Sequence, residues 1–208
     1  MFAKINSLGL LGLNSFAVTV EVEASKGLPA FDIVGLADVS VRESRERIKS
    51  ALRSSGITFP SSKVMINLAP ADIRKSGSGF DLAIAVALLR VSGLVSDEQL
   101  ESSAMIGEVS LGGEIRSIHG VLPMTLMAQR SGISEIYVPK DNVLEASVVE
   151  GIKVYGVGSL EELVQHFKQR APIEPEPTYK PPAESFFGKL IQEEQSVMRK
   201  GYLSWLWY

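Results

Sequence analysis

Apolar and polar residues alternate along several segments of this chain, and the alternation predicts strands. Apolar side chains at positions 16, 18, 20 and 22 are separated by small or polar residues, a period of two that is typical of a strand with one buried face. The same period recurs at 64, 66 and 68. Less regular apolar runs predict further strands over residues 31–36, 136–138 and 152–157.

A second set of segments has helical spacing. Ser40 is the expected N-cap of the first helix, with Glu43 closing a capping box, and Gly56 ends it. One side of this helix is predicted to be buried through Val41, Ser44, Ile48, Ala51 and Leu52. Residues 81–90 are apolar almost all round, which predicts a central, buried helix. Shorter helices are expected over 120–130, over 143–149, and from a capping box of Ser159 and Glu162 to about residue 169.

The order of these elements indicates a fold class. Residues 105–111 and 114–118 predict a hairpin joined at Gly112-Gly113. Strands and helices mix without strict βαβ repetition, so we expect an α+β fold with a mixed sheet and packed helices. From residue 171, prolines interleave with Glu and Lys, as in extended linkers. The predicted organisation is a folded domain over 1–170, a Pro-rich linker over 171–183 and a short tail over 184–208.

The composition of the chain argues against several classes of function. A formal net charge of -3 argues against general binding of polyanions, although a local basic face remains open. The absence of cysteine excludes disulfides and thiolate chemistry, and two histidines are too few for a His-based metal site, so no metal is expected. The longest strongly apolar run, 82–89, is far shorter than the roughly 20 residues of a spanning helix. With no export signal at the amino terminus, a cytoplasmic protein without membrane contact is expected.

One loop of small and basic residues is the first candidate for chemistry. It comprises Lys75, Ser76, Gly77, Ser78 and Gly79, directly before the apolar helix. Free backbone N–H groups and a lysine at a helix entry would suit an anion or a nucleophile. The alternative is that the glycines only allow a tight turn. The Walker A pattern occurs nowhere in the sequence, so no nucleotide binding of that type is expected.

The predicted first helix carries the second candidate, a basic face. Arg42, Lys49 and Arg53 fall within about 20° of one another on a helical wheel, with Arg45 close by. Such a face could bind DNA phosphate or an acidic partner. It could equally be a solvated surface in which Glu46 pairs with Arg42 or Lys49.

Neither histidine is expected to be catalytic. His119 lies between the predicted hairpin and a helix, and a helix-entry or a hydrogen-bonding role is expected for it. His166 is predicted near the carboxyl end of the last helix, where a partly protonated imidazole suits the helix dipole.

Three runs of residues resemble a known family. They are Gly27-Leu28-Pro29-Ala30-Phe31-Asp32-Ile33-Val34-Gly35-Leu36, then Val41-Arg42-Glu43-Ser44-Arg45-Glu46-Arg47-Ile48, then Asn67-Leu68-Ala69-Pro70-Ala71-Asp72 followed by Phe80-Asp81-Leu82. Together they resemble the amino-terminal domain of magnesium-chelatase-like AAA+ ATPases of the ComM/YifB type, over about residues 1–170. That domain is similar in fold to the proteolytic domain of Lon.

The resemblance to Lon implies where a peptidase dyad would lie. It places Gly79 at the position of the nucleophile, with Ser78 one residue away, and Leu122 at the position of the catalytic lysine. A leucine cannot accept the hydroxyl proton, so no dyad is expected there. A Ser–Lys peptidase that uses Ser78 or Ser76 with Lys75 remains the rival hypothesis.

The family resemblance also implies a role. ComM-type proteins look like ring-forming ATPases that act on DNA, with branch migration in transformation assigned to them. ATP and Mg belong to a later AAA+ module, so no cofactor is expected in this chain. Residues 185–199 are similar to the segment that enters that module, whereas 200–208 fit neither linker nor ATPase and are interpreted as a truncated or frameshifted end.

The expected function is a non-catalytic accessory domain. Its expected partners are copies of itself or other subunits of the ATPase, and DNA through the parent protein. A phosphate- or nucleotide-binding module is the third hypothesis.

Overall fold

The computed structural model describes residues 1–12, 14–58, 62–98 and 100–180. The strands are β1 (Phe2–Leu11), β2 (Asn14–Ser25), β3 (Ala30–Val34), β4 (Lys63–Ala69), β5 (Ser103–Met105), β6 (Glu108–Val109), β7 (Ile115–Arg116), β8 (Glu135–Pro139) and β9 (Lys153–Val157). The helices are α1 (Val39–Ser54), α2 (Asp81–Val91), α3 (Val121–Arg130), α4 (Val143–Ala146) and α5 (Leu160–Phe167). The predicted tail over 184–208 lies outside the described residues.

Seven strands form one mixed sheet in the order β3-β4-β2-β1-β5-β8-β9. β2 pairs antiparallel with both β1 and β4, whereas the pairs β3–β4, β1–β5, β5–β8 and β8–β9 are parallel. β6 and β7 form the predicted hairpin, which is short and separate from the main sheet. The α+β class with a mixed sheet is therefore confirmed.

Helices pack on both faces of this sheet. Buried residues of α1, α2 and α5 form one core with alternate strand residues such as Tyr137, and α3 and α4 form a second core with Ile136 and Val138. α2 is buried along nearly its whole length, as its uniform apolarity predicts. The 75–79 loop directly precedes this buried helix and therefore lies close to the core of the domain.

The structure corrects the predicted start of α1. Asp38, not Ser40, is the N-cap, and its carboxylate accepts a hydrogen bond from the Val41 N–H at 2.9 Å. Aspartate caps a helix as well as serine does, and here it lies two residues earlier. The buried side of α1 is the predicted one. The capping box of α5 is confirmed at Ser159, although Glu162 accepts from the Gly158 N–H instead of closing back on the cap residue.

The first part of the Pro-rich segment follows the edge of the sheet. The Glu176 N–H donates to the carbonyl of Val154 in β9 at 2.8 Å, and the Tyr179 N–H donates to the carbonyl of Ser147 at 2.9 Å. Part of the predicted linker is thus hydrogen-bonded to the folded domain through its backbone. The end of the domain near residue 170 stays a prediction. Within the described ranges, no helix has the length and apolarity needed to cross a membrane.

Candidate functional site

A cleft of about 360 Å³ opens where the 75–79 loop enters α2. It is bordered by the carboxyl-terminal half of β1, by β6 and by the segment before α3. The lining residues are Leu8, Gly9, Leu10, Ser76, Gly77, Ser78, Gly79, Phe80, Glu108, Ser117, Ile118, His119 and Met124. Four of the five loop residues singled out from the sequence therefore share one cleft.

Backbone hydrogen bonds hold the loop in place. The Asp81 N–H donates to the Ser78 carbonyl at 3.1 Å, which closes the turn into α2. The Gly107 N–H donates to the Gly79 carbonyl at 2.9 Å, and the Leu82 N–H donates to the Gly107 carbonyl at 3.0 Å. These hydrogen bonds fix the loop to the chain just before β6.

Lys75 does not share the cleft with the rest of the loop. Its side chain is fully buried, and its ammonium group donates to the carbonyl of Pro70. Its backbone is hydrogen-bonded to the segment between β3 and α1. The Lys75 N–H donates to the Leu36 carbonyl at 3.1 Å, and the Lys75 carbonyl accepts from the Asp38 N–H at 3.0 Å. Burial lowers the pKa of Lys75. The lysine thus links the segments around residues 36 and 70 and points away from the serines.

Ser78 has a carboxylate as its hydrogen-bond partner. Its hydroxyl donates to Oε2 of Glu108, while Oε1 of Glu108 lies 3.7 Å from Nη1 of Arg116. Glu108 is half-buried, and Arg116 is largely exposed. Glu108 is not among the site residues predicted from the sequence, because its position in a short hairpin does not indicate that β6 borders the loop.

The two positions that the resemblance to Lon assigns to the dyad carry no proton-transfer group. Gly79 presents only backbone to the cleft, and a Cβ added there would lie 3.5 Å from Cδ1 of Ile118. Leu122 lies in the first turn of α3, where its side chain packs against the second core. The Leu122 N–H donates to the carboxylate of Glu145 at 2.8 Å. Neither residue can act as nucleophile or base through its side chain.

A buried polar network lies beneath the cleft. The Asp81 carboxylate accepts from the Ser44 hydroxyl, from Nε and Nη2 of Arg47 at 2.8 and 3.1 Å, and from the Val109 N–H at 3.3 Å. Burial raises the pKa of Asp81, while the hydrogen bonds from Arg47 and Ser44 oppose that shift. The hydrogen bond to Asp81 raises the pKa of Arg47. Two of the three runs that carry the family resemblance therefore meet at this one ion pair.

The predicted basic face of α1 is present and largely exposed. Arg42, Arg45 and Arg53 are exposed, and Lys49 is half-buried with its ammonium group 5.5 Å from the centre of the Phe31 ring. Glu46 pairs with Arg45, 2.8 Å away, and the charge of Lys49 also acts on the Glu46 carboxylate, as one of the predicted pairings expects. The neighbouring side chain on the same turn reaches the carboxylate directly, and this hydrogen bond lowers the pKa of Glu46. These cations lie outside the cleft lining, on a separate surface.

The histidines have different surroundings. His119 is exposed at the mouth of the cleft, beside the start of α3. Nδ1 of His166 accepts from the Ile173 N–H at 2.9 Å, and Nε2 lies 3.1 Å from the Tyr137 hydroxyl. A ring nitrogen that accepts a hydrogen bond carries no proton, and burial lowers the pKa of His166. The expectation of a partly protonated His166 is therefore wrong. Within the described ranges, no group of three or more His, Asp or Glu side chains is arranged to hold a metal ion.

The amino-acid sequence matches one family of proteins and several individual proteins. The family described as subunit ChlI of Mg-chelatase matches residues 20–142. Competence protein ComM of Haemophilus influenzae is 35% identical over 189 residues, which cover 90% of this chain and 37% of ComM. The uncharacterized protein YifB of Escherichia coli is 40% identical over 147 residues, 71% of this chain and 29% of YifB. The chain thus spans about a third of the length of these relatives.

A more distant similarity concerns the fold. Lon protease of Acinetobacter baumannii is 30% identical over 173 residues, which cover 77% of this chain and 21% of Lon. This similarity is consistent with the Lon-like arrangement of the sheet and its helices.

Proposed function

Because the chain belongs to the Mg-chelatase ChlI-subunit family, in the group that includes ComM and YifB, we propose that it is a non-catalytic accessory domain. In this role it positions partner subunits or DNA for an ATPase motor of the parent protein. The observation that carries the proposal is the chemistry of the cleft. The positions that the resemblance to Lon assigns to the dyad hold Gly79 and Leu122, and the nearby Lys75 is buried against the carbonyl of Pro70.

The surface of α1 supports the positioning role. Its exposed arginines can contact phosphate groups or acidic side chains without disturbing the core, because the opposite side of the helix is the one that packs. ComM is named as a competence protein, and DNA processing by the parent protein is part of the proposal. Cytoplasmic location, and self-association or contact with other ATPase subunits, belong to it as well.

A DNA-stimulated ATPase assay tests the proposal on this chain. The sequence contains no Walker A pattern, so phosphate release in the presence of Mg-ATP and DNA should equal that of buffer. Turnover that rises with protein concentration, and that survives repurification, would contradict the non-catalytic assignment.

A further inference from the structure

The charge of the cleft differs from what the loop sequence alone suggests. Glu108 is the one Asp, Glu, Lys or Arg side chain among the described residues that line it. Lys75, the cation on which an anion site would depend, is directed into the core. The cleft therefore presents a carboxylate, which repels phosphate and attracts cations.

Glu108 has capacity for a further donor. An ionised carboxylate can accept about four hydrogen bonds. Glu108 contacts Ser78 and Arg116, and the charge of Arg47 beneath the cleft also acts on it. The Arg116 contact is 3.7 Å long, and the arginine side chain is 63% exposed. Water screens such a pair strongly, so an incoming cation can compete with Arg116 for the carboxylate.

The remaining walls suit a slender, amphipathic ligand. The hydroxyls of Ser76, Ser78 and Ser117 offer additional acceptors for N–H donors. Leu10 and Met124, with further apolar side chains, provide surface for a hydrocarbon chain. A volume of about 360 Å³ accommodates a short alkyl chain that ends in a charged head.

We propose that this cleft binds a primary ammonium group at the end of an alkyl chain, with Glu108 as counter-ion. Serine hydroxyls complete the hydrogen bonds of the ammonium group, and the apolar wall covers the methylene groups. A lysine side chain of a partner peptide and a free aliphatic diamine share this chemistry. The inference goes beyond the accessory role and does not depend on it.

Chemical-shift titration of the ¹⁵N-labelled chain tests the proposal. The probes are Nα-acetyl-lysine methylamide and 1,5-diaminopentane, and the controls are the Nε-acetylated lysine derivative and inorganic phosphate. Both ammonium probes should shift the amides of residues 76–79 and 117–119, and the controls should not. Tighter binding of the lysine derivative assigns the ligand to a peptide, and tighter binding of the diamine assigns it to a free polyamine.

Variants establish the role of the carboxylate. Glu108→Gln should weaken binding of the ammonium probes by about tenfold or more, because a charge-assisted hydrogen bond is lost. Ser117→Ala should weaken it less, and Glu101→Gln, on a separate exposed segment, should leave it unchanged. The same spectra show whether each variant is folded. Equal binding by Glu108→Gln, or shifts caused by phosphate and not by ammonium, would overturn the proposal. Neither result bears on ATP hydrolysis, which tests the accessory role separately.

Discussion

Arg47 of α1 and Asp81 of α2 form an ion pair beneath the cleft, with two hydrogen bonds of 2.8 and 3.1 Å. The Asp81 side chain is fully buried, and that of Arg47 is 20% exposed. The pair joins the middle of α1 to the first residue of α2, where the 75–79 loop ends. It therefore fixes the floor of the cleft relative to the basic face of α1.

Removal of one partner should destabilise the domain strongly. Asp81→Ala leaves Arg47 without its buried counter-charge, and the expected loss in unfolding free energy is about 3–5 kcal/mol. Urea denaturation followed by circular dichroism measures the loss. Asp97→Ala is the matched control, because Asp97 pairs with Arg90 at the surface and its removal should hardly change the midpoint. Similar midpoints for both variants would show that the buried pair is not what holds α1 to α2.

Two glycines should respond differently to the same substitution. Gly35 has φ of +99°, and a Cβ there would overlap the backbone of Leu68, so Gly35→Ala should cost at least about 2 kcal/mol. At Gly79 the added methyl would make an ordinary contact with Ile118. Gly79→Ala should therefore change the unfolding free energy by less than about 1 kcal/mol. If Gly79→Ala is the more damaging of the two in thermal denaturation, the described packing of the loop is incorrect.

His166 should make stability depend on pH. Its folded-state pKa is lowered by burial, whereas the unfolded chain protonates near its ordinary value of about 6.5. The neutral ring therefore contributes stability above about pH 6.5, and this contribution is lost as the pH falls through the folded-state pKa. Unfolding free energies measured between pH 5 and 8 should show this decline, and the decline should weaken in His166→Gln. A midpoint that rises toward low pH, in step with His166 protonation observed by NMR, would contradict the described hydrogen bond from Ile173.

The basic face of α1 should contribute to DNA binding. Reversing the charge at Arg42, Lys49 and Arg53 together should weaken binding of the chain to duplex DNA at low salt by about tenfold or more, because phosphate contacts are lost. Fluorescence anisotropy measures the affinity. Reversal at Lys4, Lys26 and Lys63 changes the net charge equally on exposed positions elsewhere and should have a smaller effect. Equal effects of the two triple variants would mean that net charge, and not this face, governs binding.

Local sequence patterns predicted all five described α-helices and several strands. The buried side of α1 followed from spacing, and the burial of α2 followed from its uniform apolarity. β1 was not predicted, because consecutive buried residues over 7–9 interrupt its alternation. Its place in the middle of the sheet, between β2 and β5, depends on long-range pairing that no local pattern encodes.

The candidate site was predicted in part. Residues 76–79 do line a cleft at a helix entry, which the small-residue loop suggested. The direction of Lys75 could not be predicted, because it depends on carbonyl groups near residues 36 and 70 that are distant from the loop in the extended chain. The Asp81 network was missed for the same reason, although an aspartate at the start of an apolar helix was a usable signal.

Covalent labelling with a fluorophosphonate, read by intact-protein mass spectrometry, tests most directly whether the cleft lacks a catalytic serine. Lys75, the amine of the same loop, donates to the Pro70 carbonyl and does not reach the Ser78 hydroxyl, so it cannot act as the base of a Ser–Lys pair. The chain should therefore show no more adduct than Ser78→Ala after prolonged incubation. A stoichiometric adduct on Ser78 that disappears in both Ser78→Ala and Lys75→Met, with Lys75→Met still folded, would contradict the non-catalytic assignment.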